Sequence, residues 1–159
     1  LASGSKTPLV VVGGKGWLEE GELALIKQVK ADGGPSADRI RQYDYMPFSM
    51  LISLIRGAKA TLFPSLYEGF GLPVLESMAL NTAVLTSTGG SLPEVAGDAA
   101  IIVDPYDVQA MSRGLRALDV DEGMRLELEA KGLIQAGKFT PEAYQQRLKL
   151  LYEKVGVTA

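Results

Sequence analysis

Four short apolar runs and one weaker, more polar strand pattern recur along the chain, and a segment with the apolar spacing of a helix separates each from the next. Parallel strands need long crossover connections of this kind, usually helices that cover the faces of the sheet. The alternation therefore predicts an α/β fold, a Rossmann-like parallel sheet flanked by helices. The predicted strands are residues 9–12, 39–43, 60–63, 83–86 and 100–103.

The composition excludes several classes of function. The 159 residues include no cysteine and no histidine, which rules out disulfides, thiolate or imidazole metal sites and histidine-activated nucleophiles in this chain. The net charge of −3 and the lack of a basic block argue against nucleic acid as a partner. No apolar run approaches the ~20 residues that span a bilayer. The lack of cysteine favours an intracellular chain, and we expect a cytoplasmic one.

The length suits about one domain. We interpret residues 1–159 as a single domain, with an α/β core at 8–118 and terminal helices at 119–159. The chain starts at Leu1 without an initiator methionine, and its opening residues resemble a helix end and a loop. We therefore expect an excised part of a longer protein.

Glycine-rich turns follow several predicted strands, at the carboxyl edge where α/β sheets bind ligands. The first run, 9–12, is apolar throughout, which is typical of a strand buried on both faces. After it, Gly14 would admit a ligand close to the backbone and Lys15 offers a cation, but a tight turn that needs positive φ is favoured. In a later loop, Ser91 followed by Glu94 matches the capping box of a helix start, so a structural role is favoured there.

The turn after the third predicted strand reads EGFG (residues 68–71) and leads into a predicted helix with Pro73 in its first turn. The backbone amides of Phe70, Gly71 and Leu72 should then point outward at a helix N-terminus. That geometry suits a phosphate. Proline has no amide hydrogen, so the three residues before it carry the donors.

Two carboxylates flank this turn, Glu68 at its start and Glu76 eight positions later. Beside a bound phosphate they are unfavourable unless they bind something else, and a carboxylate accepts two hydrogen bonds from a vicinal diol. A diphosphate between two diols describes a nucleotide sugar. The alternative is that Glu76 only complements the helix dipole and that Glu68 is a solvated loop acid.

The longer stretch PSLYEGFGLPVLESMA (residues 64–79) resembles the retaining glycosyltransferases of family 4, group 1, which have the GT-B fold. The similarity continues through SLPEVAGDAA (91–100) and extends back to VGGKGW (12–17). The spacing of the two acids matches that family's EX7E motif. The resemblance covers most of residues 8–118.

This resemblance implies the C-terminal, donor-binding half of an enzyme that transfers a sugar with retention, from GDP-mannose or a UDP-sugar. It implies that Glu68, the catalytic residue, contacts the transferred sugar and that Glu76 binds the ribose. The loops near Gly14 and near Tyr45 would meet the base. The implied donor-binding set, with no metal ion and no cofactor, is Gly14, Lys15, Tyr45, Met46, Glu68, Gly69, Phe70, Gly71, Leu72 and Glu76.

The same resemblance implies the partners, a nucleotide sugar and a sugar or lipid-linked acceptor held by an N-terminal domain that this chain lacks. The chain alone would be inactive, and its parent would act in polysaccharide biosynthesis, peripheral to the inner face of a membrane. Two alternatives stay open. One is a nucleotide-binding or interaction module without transfer activity, and the other is a GT-B epimerase or hydrolase of sugar nucleotides.

One departure from the family concerns the sheet. In the family's strand order, 3-2-1-4-5-6, the first strand is central and carries an Arg and a Lys that hold the diphosphate, and nothing before Leu9 can supply it. Unpaired backbone groups would then line the gap. We expect either that strand 9–12 pairs directly with strand 60–63 in a compacted sheet, or that a swapped assembly fills the gap.

Overall fold

A computed structural model of the chain describes residues 5–13, 20–33 and 37–156. The chain divides into two compact units, Leu1–Ile52 and Ser53–Ala159. One helix, α2 (Phe48–Gly57), crosses the division between them. Each unit is described below by itself.

The first unit contains a two-stranded parallel sheet. Strands β1 (Leu9–Val12) and β2 (Ile40–Tyr43) are joined through α1 (Glu20–Ala31) and pair with Leu9 opposite Ile40. Ile40 is the one buried hydrophobic side chain among the residues described in this unit.

The second unit contains a three-stranded parallel sheet in the order β3-β4-β5. In the register of the sheet, Ala60 lies opposite Ala83 and Leu85 opposite Ile101. The elements in chain order are β3 (Ala60–Phe63), α3 (Leu72–Ala79), β4 (Ala83–Ser87), α4 (Leu92–Ala96), β5 (Ile101–Val103), α5 (Val108–Val120), α6 (Glu122–Gly137) and α7 (Pro141–Lys154).

Strand β4 is the centre of the second unit, and all five of its residues are buried. Its side chains alternate between the two faces of the sheet, as the pleat requires. Val84 belongs to a cluster formed with α3 and α4, whereas Ala83 and Leu85 belong to a second cluster formed with α5 and α6. Helices therefore cover both faces of this strand.

The predicted α/β architecture, with parallel strands flanked by helices, is confirmed, and each predicted strand lies within one residue of an observed one. Burial of the first strand on both faces is wrong. Val11 is 37% exposed, because a two-stranded sheet with few apolar neighbours cannot cover both sides of a strand. Within the described ranges, no helix is both long and apolar enough to cross a membrane.

The expected compacted sheet is also wrong. Among the described strands, β1 pairs only with β2, and β3 pairs only with β4. The apolar clusters of the second unit lie on both faces of β4, and every residue of β3 is half-buried. A swapped assembly stays a prediction.

Candidate functional site

The loop between β3 and α3 is shaped by a glycine that starts the helix. Gly71 is the N-cap of α3, with φ 106° and ψ 45°, a conformation that side chains with a Cβ rarely adopt. A Cβ at this position would also lie 2.7 Å from Cδ2 of Leu92. The predicted helix start, with a proline in its first turn, is confirmed.

The amides of this turn have no partners within the part of the chain that the structure describes. None of the backbone N–H groups of residues 69–72 donates a hydrogen bond to another described residue. Unpaired N–H groups at a helix start, with the positive end of the helix dipole behind them, favour an anion. The arrangement suits a phosphate group, and phosphate binding at this turn stays a prediction.

Several carbonyl groups between Phe63 and Phe70 accept hydrogen bonds from hydroxyl groups of β4 and of the loop after it. Thr86 Oγ1 donates to the carbonyl oxygen of Phe63 at 2.9 Å, and Ser87 Oγ donates to the carbonyl oxygen of Ser65. Ser91, in the loop after β4, likewise donates its hydroxyl hydrogen to the carbonyl oxygen of Phe70. Hydroxyl groups of β4 and of the loop after it thus hold carbonyl groups at the end of β3 and in the loop that follows β3.

Ser91 holds the turn at two points. Its amide donates to the carbonyl oxygen of Glu68 at 3.1 Å, and its hydroxyl lies 2.7 Å from the carbonyl oxygen of Phe70 and 3.1 Å from that of Glu68. The shorter distance makes Phe70 the main acceptor of the single hydroxyl proton.

The predicted capping box at Ser91 is wrong. Ser91 does precede α4, but its side chain makes no capping hydrogen bond. Its backbone is already helical, with φ −82° and ψ −5°, whereas a capping side chain needs the extended conformation. The hydroxyl is also bonded to the opposite loop.

Two glycines let the loops approach this closely. A Cβ at Gly89 would lie 2.5 Å from the carbonyl oxygen of Leu66, and one at Gly90 would lie 2.2 Å from the carbonyl oxygen of Glu68. Both distances are far below van der Waals contact. Backbone therefore packs directly on backbone here, and the glycine pair is the sequence signal for this contact.

The structure places Glu68 in the loop after β3 and Glu76 in the second turn of α3, and both are half-buried. Neither carboxylate makes a hydrogen bond or ion pair with another described residue. Because dipole stabilisation is confined to the first turn of a helix, the helix-dipole alternative for Glu76 is weakened. Both acids remain available to a ligand.

The side chain of Phe70, in the turn, makes an aromatic contact with a residue far along the chain. The rings of Phe70 and Phe139 meet edge to face, with centroids 5.8 Å apart and planes at 86°. The guanidinium carbon of Arg147, on α7, lies 5.8 Å from the Phe139 ring centroid. Both geometries are attractive. Sequence reasoning did not find Phe139 or Arg147, because neither belongs to a local motif.

The remaining predicted site residues are not brought to this turn by any described contact. Gly14 and Lys15 lie outside the described residues. Tyr45 and Met46 follow β2 in the first unit, where Tyr45 is 82% exposed and Met46 is half-buried. Among the described residues, no group of three acidic side chains lies close enough to hold a metal ion.

Comparison with known proteins gives a family and close relatives. Residues 1–138 match the family model "Glycosyl transferases group 1". The O-antigen chain mannosyltransferase B of Escherichia coli is 38% identical over 135 residues, which are 85% of this chain and 34% of that protein. A serotype-specific mannosyltransferase WbdA of Escherichia coli is 44% identical over 119 residues, 75% of this chain and 15% of that protein.

The fold is also found among solved structures. One of them, "Trehalose-6-phosphate from E. coli bound with UDP-2-fluoro glucose", superposes with a TM-score of 0.76 at 15% identity. The superposition covers 89% of this chain and 35% of that one. The chain thus spans about a third or less of the proteins it matches.

Proposed function

The chain belongs to the glycosyl transferases of group 1, and on that basis we propose that it is the donor-binding half of a sugar-transferring enzyme. The donor is a nucleotide-diphosphate sugar, with GDP-mannose as the first candidate and a UDP-sugar as the second. The mannosyltransferase relatives support mannose, and the solved structure with a UDP-sugar analogue supports this class of ligand.

One observation carries the proposal. The four unpaired amides of residues 69–72 lie between Glu68 and Glu76, two carboxylates without described partners. The amides suit the diphosphate, and each acid suits a vicinal diol. In this proposal Glu68 binds hydroxyls of the transferred sugar, and Glu76 binds the ribose. Gly14, Lys15, Tyr45 and Met46 are proposed to lie near the base.

The proposed chemistry needs no nucleophile from this half of the enzyme. The acceptor hydroxyl oxygen bonds to the anomeric carbon as the bond from that carbon to the diphosphate oxygen breaks, with retention of configuration, and the hydroxyl proton passes to the departing diphosphate. Negative charge then develops on the departing diphosphate, where the amides of residues 70–72 stabilise it. Neither a metal ion nor a cofactor is part of the proposal.

The partners complete the proposal. A sugar or lipid-linked acceptor binds a part of the enzyme outside this chain, and the enzyme acts at the cytoplasmic face of a membrane. Because the chain spans 34% of the mannosyltransferase B length, we expect the isolated chain to bind donor without transferring sugar. Release of mannose onto an acceptor by this chain alone would contradict that expectation.

The first test is calorimetric titration of the 159-residue chain with GDP-mannose, GDP, UDP-glucose and ADP-glucose. We expect saturable binding of the nucleotides that carry one of the three bases, and not of the others. In Glu76→Ala, two charge-assisted hydrogen bonds of ~1.5 kcal/mol each are lost, so affinity should fall roughly 100-fold. Glu76→Gln keeps the shape of the side chain and should also bind weakly.

The control is Glu142→Gln, which removes an exposed acid on α7 and should leave the affinity unchanged. Circular dichroism and urea unfolding check that each variant is folded. Equal affinities of wild type and Glu76→Ala would remove Glu76 from the site. Failure of the folded wild type to bind any of the four nucleotides would reject the proposed function for this chain.

A further inference from the structure

We propose that Ser91 is a positioning residue for residues 68–71, called here the donor turn. The Ser91 hydroxyl aims the amide of Gly71 at the diphosphate. This inference deepens the proposed function and rests on it for the identity of the ligand. It gives the loop after β4 a role in donor binding although no side chain of that loop is proposed to contact the donor.

The first step is the geometry of the peptide groups. The structure contains no cis peptide bond among the described residues, and in a trans peptide the C=O and the following N–H point in opposite directions. The carbonyl of Phe70 points at the Ser91 hydroxyl, 2.7 Å away. The amide of Gly71 therefore points away from Ser91, and Gly71 itself is buried.

The second step separates the amide of Ser91 from its hydroxyl, which has the Phe70 carbonyl oxygen as its main acceptor at 2.7 Å and lies 3.1 Å from that of Glu68. Its amide holds the carbonyl of Glu68 at 3.1 Å, which orients the amide of Gly69. Its hydroxyl holds the carbonyl of Phe70, which orients the amide of Gly71. Removing the hydroxyl should therefore free the Phe70–Gly71 peptide group while the Glu68–Gly69 peptide group stays fixed.

The third step is that the turn has few other restraints. Phe70 is 43% exposed, and its ring meets the ring of Phe139 edge to face. Gly71 has a positive φ, and glycine backbones have many accessible conformations. A hydrogen bond at this peptide group therefore decides which conformation the amide presents, and a preorganised donor binds an anion better than a mobile one.

The experiment compares Ser91→Ala with Ser91→Thr, which restores a hydroxyl, and with Thr88→Val, which removes an exposed hydroxyl from the same loop. Affinities are measured for GDP and GMP, and for UDP and UMP. We expect Ser91→Ala to weaken the binding of the diphosphate roughly tenfold and that of the monophosphate less than about twofold. Ser91→Thr should recover most of the loss, and Thr88→Val should bind like wild type.

A second measurement needs no nucleotide. In the free protein, Ser91→Ala should change the carbonyl ¹³C shift of Phe70 and the amide ¹H and ¹⁵N shifts of Gly71, while the Gly69 amide changes little. Equal loss of affinity for diphosphate and monophosphate, or an unchanged Phe70 carbonyl and Gly71 amide, would overturn the inference.

The two measurements also separate this inference from the proposed function. If folded wild type binds none of GDP-mannose, GDP, UDP-glucose and ADP-glucose, the proposed function fails. The spectra then decide the orientation of the turn alone. A selective change at Phe70 and Gly71 supports the positioning role of Ser91, and its absence overturns that role.

Discussion

Gly90 is where a single methyl group would disturb the candidate site most directly. Its Cβ would lie 2.2 Å from the Glu68 carbonyl oxygen, and its φ of +59° is unfavourable for any residue with a side chain. We expect Gly90→Ala to lower the free energy of unfolding by about 2–3 kcal/mol, since both backbone strain and overpacking contribute. Urea unfolding measures this change.

The matched variant is Gly137→Ala at the end of α6. Nothing lies within 4 Å of the Cβ position there, and the residue is helical. Alanine should be neutral or stabilise the protein by up to about 1 kcal/mol. If both variants unfolded at the same urea concentration, the close approach of the two loops would be disproved.

Residue identity predicts some roles in this chain and not others. Asp107 caps α5 through a hydrogen bond from the Ala110 amide at 2.8 Å, and such a cap uses neighbours in sequence. Ser91 has an equally good local signature but bonds to a carbonyl 21 positions away. A local pattern cannot reveal which of two competing hydrogen bonds the folded backbone permits.

At the scale of elements, Gln135 joins α6 to the end of α4. Its side-chain nitrogen donates to the carbonyl oxygens of Glu94 and Val95, at 3.3 and 3.0 Å, and the residue is buried. We expect Gln135→Ala to lower the free energy of unfolding by roughly 1–3 kcal/mol, because buried acceptors at a helix end lose their donor. Thermal or urea unfolding reports the loss.

The control for this change is Gln145→Ala on α7, where the side chain is exposed. Its stability should stay within about 0.5 kcal/mol of wild type. Comparable losses in the two variants would show that Gln135 contributes nothing beyond its intrinsic helix propensity.

The elements themselves were predictable because their signals repeat within a few residues. Apolar runs mark the strands, and apolar positions three and four apart mark the helices, so α/β alternation follows from short windows of sequence. The contacts that join one element to another connect distant positions instead. Gln135 and Val95 are 40 residues apart, and neither belongs to a pattern that would associate α6 with α4.

At the scale of the whole molecule, the two units differ in how much core they contain. The second has apolar clusters on both faces of β4, whereas Ile40 is the one buried hydrophobic side chain described in the first. Local opening exposes little apolar surface where little is buried, so its free-energy cost is low. We therefore expect amides in β1 and β2 to exchange with deuterium far faster than those in β4.

Hydrogen–deuterium exchange with mass spectrometry measures this difference peptide by peptide. Protection of β1 and β2 equal to that of β4 would mean that the two units unfold as one cooperative body. Amides of the helices on either side of β4 should share the slow exchange of that strand, because they bury the same clusters.

The contact between Phe70 and Phe139 also has a practical meaning for where the proposed donor-binding module ends. The family match stops at residue 138, one position before Phe139, while Phe139 and Arg147 support the donor turn from beyond that limit. A fragment trimmed to the family boundary would keep every residue of the EX7E stretch and lose the ring that steadies it. The physical module therefore extends at least into α7, and a swap of donor modules between related enzymes should carry that helix along.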